Sequence, residues 1–114
     1  MATVEVTKDN HDEFVQDGIT FLDFNASWCG PCRNFAPIYE DASERHSDIK
    51  FGSIDTDVEQ ELAADYGIRS IPTLAIYKDG VQIFAQPGAL PAPAFEEIIG
   101  QARAYEADAL TVVS

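Results

Sequence analysis

The sequence predicts an α/β domain, a central mixed β-sheet of about five strands flanked by helices on both faces. Three observations carry this. Strand-like apolar runs alternate with segments whose apolar residues recur every three or four positions, in the order β-α-β-α-β-α-β-β-α. The run from Ile19 to Phe24, broken only by Asp23, has the pattern of a strand buried on both faces. Further on, Lys78-Asp79-Gly80 separates two apolar runs, a hairpin signal that closes an initially parallel sheet with an antiparallel pair.

The elements follow in order. Val4 and Val6 alternate with polar neighbours and read as a short first strand. Thr7 is placed to cap a helix that carries Phe14 and Val15 and stops at Gly18. After the strand at 19–24, Phe35, Ile38 and Ala42 give a helix beginning near Cys29, with Pro37 inside it and expected to kink it. Ile49 to Asp55 reads as the third strand, and Leu62, Ala63 and Tyr66 as a short helix ended by Gly67. Thr73 to Tyr77 and Val81 to Ala85 form the hairpin. Phe95, Ile98, Ile99 and Ala102 give a last helix started near Pro93, with 107–114 extending it or fraying. There is no repeat, linker or low-complexity tract, and 114 residues suit one domain over 1–114.

Composition narrows the function. Twenty Asp and Glu against seven Lys and Arg leave a net charge of −13, with the basic residues scattered. Phosphate recognition needs clustered Lys and Arg, so neither nucleic acid nor an anionic membrane is an expected partner. The acidity reads as a solvated surface that favours solubility. No run approaches the roughly 20 apolar residues that span a bilayer. Met1-Ala2-Thr3-Val4-Glu5-Val6 has neither the basic start nor the apolar run of a secretory signal, so a cytoplasmic location is expected.

The only two cysteines, Cys29 and Cys32, close too small a loop to staple a fold. A four-ligand metal site is not expected either, because His11 and His46 lie far off with no ligand-like spacing. A lone Cys-x-x-Cys where a buried strand gives way to a helix reads as a redox pair. Disulfide exchange needs a thiolate, and a helix N-terminus lowers a thiol pKa through free N–H groups and the positive end of its dipole. Cys29 is the expected exposed nucleophile, and Cys32, one turn in, the shielded resolving thiol. Asp23 is the second anomaly: a carboxylate in an apolar strand is either a strand-end residue facing water or a buried group with a raised pKa. Pro72 has no donor for a ladder and starts a strand.

Phe21-Leu22-Asp23-Phe24, then Ala26-Ser27-Trp28-Cys29-Gly30-Pro31-Cys32, resembles the active-site segment of the thioredoxins. Gly67-Ile68-Arg69-Ser70-Ile71-Pro72-Thr73 resembles that family's second signature, and Lys78-Asp79-Gly80 and Gly88-Ala89-Leu90 follow at its spacing. The resemblance runs from about Val4 to the last helix. It implies a thioredoxin fold and a protein-disulfide reductase working by dithiol–disulfide exchange. Asp23 would be a buried base for Cys32, and Ile71–Pro72 a cis bond packed against the cysteines. The backbone at Ile71 would pair with an extended client segment, beside a substrate surface of Trp28, Gly30, Pro31, Pro72 and Gly88. The Trp28 indole would bond Asp57, with Asp57 and Pro37 as structural support. The redox-active Cys29–Cys32 pair would be the only redox group on the chain, with NADPH and FAD confined to a partner thioredoxin reductase. The other partners would be disulfide-containing client proteins, and the chain a monomer.

Three positions depart from the family. Asn25 stands where an aromatic is usual, which changes the packing expected beneath the active-site loop. Ser53 stands where many bacterial members have a Lys, so the pKa of Asp23 is expected to rise further. Arg33 replaces a commoner Lys, a mild change. Two alternatives stand beside the reductase. An oxidase or isomerase would favour a His in the dipeptide between the cysteines, against which Pro31 argues, and a binding or processivity subunit would use the same surface without turnover.

Overall fold

The computed structural model of the chain describes residues 2–105. Its elements are β1 (Thr3–Glu5), α1 (His11–Phe14), β2 (Ile19–Asn25), α2 (Gly30–Arg45), β3 (Lys50–Asp55), α3 (Gln60–Asp65), β4 (Thr73–Lys78), β5 (Val81–Pro87) and α4 (Ala92–Ala104). They form one five-stranded sheet in the order β1-β3-β2-β4-β5. The pairs β1–β3 and β2–β3 are parallel, and β2–β4 and β4–β5 antiparallel. The mixed α/β sheet expected from the sequence is therefore present, and β2 lies at its centre.

The two-residue period of β2 divides the core. Phe21 points into a cluster with Phe35, Tyr39 and Ala42 of α2 and Phe95, Ile99 and Ala102 of α4. Leu22 and Phe24 point the other way, into a cluster with Val15, Leu62 and Ala75 and the partly buried Phe14 and Tyr66. Helices α2 and α4 thus cover one face, and α1 and α3 the other. Gly52 lets α1 approach β3: a Cβ there would stand 2.6 Å from Val6 Cγ2 and 2.7 Å from Phe14 Cε2. Asp23 follows Phe21 by two residues and so lies on the α2 face.

Several local expectations change. Helix α1 is a single turn with Asn10 at its N-cap, not a longer helix capped by Thr7. The Thr7 carbonyl instead accepts from the N–H of Asn10 and His11, while Asn10 Oδ1 accepts from Thr7 N–H at 2.8 Å. Val6 falls just past β1 and is fully buried, whereas Val4 is 43% exposed, because β1 is an edge strand. Other expectations hold: helix α2 contains Pro37, and α4 starts at Ala92, with Pro93 in its first turn. In the β4–β5 hairpin, Asp79 (φ 52°) and Gly80 (φ 83°) both take positive φ, the turn geometry that an Asp-Gly pair suits. Residues 107–114 lie outside the described residues.

Candidate active site

The end of β2 delivers Asp23 and Asn25 to one side of the sheet, and the loop that follows carries Trp28 and Cys29 onto the N-terminus of α2. Cys29 is the N-cap: its backbone is extended and its Sγ accepts the N–H of Cys32 at 3.2 Å. Pro31 in the first turn suits that position, where its missing N–H would have no helical acceptor. Cys29 and Cys32 are joined by a disulfide with a Cα–Cα separation of 5.2 Å. Both residues are 4% exposed, so the expected contrast between an exposed Cys29 and a shielded Cys32 is absent in this oxidised state. Ala26, Cys29 and Cys32 instead form a small apolar cluster against Ile71.

The Ile71–Pro72 peptide bond is cis. The Ile71 carbonyl oxygen lies 3.8 Å from Cys29 Sγ. Around the bend, Gly88 N–H donates to the Pro72 carbonyl at 2.8 Å, and Thr73 Oγ1 donates to the Ser70 carbonyl at 2.6 Å. These bonds hold the segment before β4 and the end of β5 together beside the disulfide. Trp28 is 66% exposed, well outside the core. Its Nε1–H donates to Asp57 Oδ2 at 2.9 Å, tying an exposed aromatic plate to the loop after β3. Pro31 is exposed as well, Ile71 half-buried and Gly88 exposed, whereas Pro72 is buried.

Beneath the cysteines, Asp23 is 4% exposed. Burial pushes its carboxyl pKa from 3.8 up to about 7, and a hydrogen bond from Asn25 opposes that rise. Among the described residues no Lys or Arg pairs with it, and its Oδ1 is buried with no hydrogen-bond partner. Asp23 and Cys32 line the same cavity of about 230 Å³, together with Asn25, Arg33, Tyr39 and Ser53. This cavity joins a buried acid to the inner cysteine. Asn25 and Ser53, two separate departures in the sequence, touch each other here: Asn25 Nδ2 donates to Ser53 Oγ at 2.8 Å.

Known proteins agree with this geometry. The family model for thioredoxin matches residues 2–101. The chain belongs to the thioredoxin family. It is 51% identical over 108 residues to a protein of Streptomyces coelicolor named "Putative thioredoxin 2", covering 94% of this chain and 81% of that protein. Against the thioredoxin of Bacillus subtilis the identity is 37% over 102 residues, covering 89% of this chain and 98% of that one. Among solved structures, a point-mutant thioredoxin from Halobacterium salinarum superposes with a TM-score of 0.81 at 31% identity, covering 88% of this chain and 89% of the other. Thioredoxin-family membership and the disulfide-forming pair make the chain a thiol–disulfide oxidoreductase, a protein-disulfide reductase acting on disulfide-containing client proteins.

No group of three or more His, Cys, Asp and Glu among the described residues is arranged to hold a metal. No described helix is long and apolar enough to cross a membrane. Sequence reasoning identified the thioredoxin-like segments but not the contact between Asn25 and Ser53. The available signal was strand alternation, which puts residues 21, 23 and 25 on one face.

Proposed function

We propose that Cys29 is the nucleophile and Cys32 the resolving thiol of a reductant recharged by a thioredoxin reductase. The observation that carries this is Cys29 Sγ at the N-cap of α2, accepting the Cys32 N–H, where a sulfur anion is favoured by amide hydrogen bonding and the helix dipole. The Cys29 thiolate attacks one sulfur of a client disulfide; an S–S bond forms between protein and client, and the other client sulfur leaves as a thiolate. Cys32 then gives its proton to Asp23 and attacks Cys29 Sγ, forming the Cys29–Cys32 disulfide and releasing the second client sulfur as a thiolate. The client gains two electrons and the pair loses two. The reductase, which carries FAD and draws on NADPH, returns them.

The client lies across Trp28, Gly30, Pro31, Pro72 and Gly88, and its extended backbone pairs with that of Ile71. Support comes from the Ile71 carbonyl beside Cys29 Sγ and from the Trp28 plate anchored on Asp57. Pro37 supports the helix that presents the pair. The protein acts as a cytoplasmic monomer.

Insulin disulfide reduction with NADPH and a reductase tests this. Wild type should turn over, and Cys29→Ser and Cys32→Ser should not. Cys32→Ser should accumulate a mixed disulfide with the client through Cys29, and Cys29→Ser should trap nothing. Trapping through Cys32 in the Cys29→Ser variant would reverse the assignment.

A further inference from the structure

The polar cluster at the end of β2 has a feature that the exchange mechanism does not itself require. Asn25 Nδ2 lies 3.0 Å from the Asp23 carbonyl oxygen, 2.8 Å from Ser53 Oγ and 3.4 Å from Asp23 Oδ2. A carbonyl oxygen only accepts, so the amide must turn its nitrogen toward Asp23 and its orientation is settled by chemistry. Ser53 comes from 28 residues away. The parallel register places it directly opposite Asp23. Among the described residues Asn25 is the only donor to the Asp23 carboxyl, and it reaches one oxygen only. The other, Oδ1, is buried without a partner, on a residue that shares a cavity with Cys32.

We infer that Asn25, held in place by Ser53, is a positioning residue for the exchange reaction: it pins Asp23 Oδ2, steadies the ionised carboxylate, and leaves Oδ1 to take the Cys32 proton. The inference rests on the reading of Asp23 as the base for Cys32. Asn25 acts on the reaction only through Asp23, and Ser53 only through Asn25.

The surrounding charges leave this task to Asn25. From α2, Arg33, Tyr39 and Glu40 line the cavity along with Cys32. Arg33 Nη1 donates to the Ser27 carbonyl at 3.0 Å. Tyr39 donates its hydroxyl to the Gly52 carbonyl at 2.7 Å, and burial holds its pKa well above the ordinary value. Glu40 accepts from Thr3 Oγ1 and from the Ala2 N–H. Strands β1 and β3 contribute Thr3 and Ser53 to the cavity, and on β4 Leu74 stands across the ladder from Asp23; none of these titrates. Each ionisable neighbour on α2 other than the cysteine thus makes its hydrogen bonds to other partners, although Tyr39 also feels the Asp23 charge.

The test uses the full-length reduced protein and the ¹³Cγ chemical shift of Asp23 followed against pH, which reads the carboxyl without reference to activity. Asn25→Leu keeps the side-chain volume and deletes the donor. It should raise the Asp23 midpoint by roughly half to one pH unit, the scale of one ordinary net hydrogen bond, because the contact to Oδ2 is a long one at 3.4 Å. Ser53→Ala should raise it by less, and the double variant should match Asn25→Leu. The pH midpoint of single-turnover client release should move with the carboxyl.

An Asp23 midpoint that stays put or falls in Asn25→Leu would overturn the inference, as would additive shifts in the double variant. If Asn25→Leu fails to fold, Ser53→Ala decides by the same measurement: an unmoved midpoint there refutes the clamp. Asp23→Asn separates the two readings. If it releases client as fast as wild type, the base role fails, while the carboxyl titration still decides whether Asn25 holds Asp23.

Discussion

Replacing Asp23 by Asn should stabilise the oxidised protein, and by an amount that depends on pH. Asp23 is buried without a cation, and its pKa in the fold is about 7 against an ordinary 3.8. A carboxyl whose folded pKa is raised binds its proton more tightly in the native state, so ionisation favours unfolding. Well below about pH 4 both states are protonated and the group costs nothing; the cost then grows to about pH 7 and stays constant above it. At about 1.36 kcal/mol per pH unit, the rise from 3.8 to about 7 amounts to about 4 kcal/mol at pH 8. Asparagine carries no such charge, and any packing offset it introduces is the same at every pH.

The slope is therefore the diagnostic. Urea unfolding of wild type and Asp23→Asn, disulfide intact, should show the gap between the two changing least below about pH 4. It should then widen steadily toward pH 7 and level off by pH 8. With a urea slope of about 2 kcal/mol per molar, a gap of about 4 kcal/mol separates the midpoints by about 2 M. Equal slopes of the unfolding curves are needed to read this as stability. Parallel stability–pH curves for the two proteins would refute the reasoning, because they would show an aspartate that ionises equally easily in both states.

Other outcomes follow from packing and from the loop. Gly52→Ala should cost about 1–3 kcal/mol in urea unfolding, because the new methyl would press on Val6 and Phe14 beneath α1; an unchanged midpoint would show that α1 moves freely. Phe95→Ala should cost about 3–5 kcal/mol, since its ring packs edge-on against Phe21 and Phe35 and alongside Tyr39 in the α2–α4 core. Asp57→Ala should leave stability within about 1 kcal/mol, as expected for an exposed side-chain bond. It should also speed the local reorientation of Trp28, the only tryptophan, in time-resolved fluorescence anisotropy. An unchanged anisotropy decay would mean that the Asp57 bond does not hold the indole.

Much of the architecture is legible from local pattern because local physics produces it. Apolar alternation, the helix punctuated by Gly30-Pro31, and Asp79-Gly80 at the hairpin all act over a few residues, and the structure follows them. The chemistry of the site is legible for the same reason: a cysteine pair at a strand–helix junction presents its sulfur to free amide groups whatever the rest of the chain does. Local pattern misses where a neighbour is supplied from elsewhere. Thr7 satisfies the rule for a cap, yet its carbonyl and Asn10 close the turn differently. Val4 satisfies the rule for a strand, yet it sits on an edge strand and stays 43% exposed.

The sequence by itself determined which groups are available: two thiols three residues apart, one carboxylate in an apolar strand, one tryptophan beside Cys29, and no Lys at position 53. Only the tertiary structure decided what those groups meet. The parallel register of β2 and β3 puts Ser53 opposite Asp23 and within reach of Asn25. The packing of α2 on that face sets Cys32 and Asp23 around one cavity, and the packing against Ile71 buries Cys29 as deeply as Cys32. The physical reason is range. Propensity, capping and turn chemistry act within a few residues, whereas the pKa of Asp23 is set by desolvation and by which dipoles surround it, and those surroundings exist only once distant strands have paired.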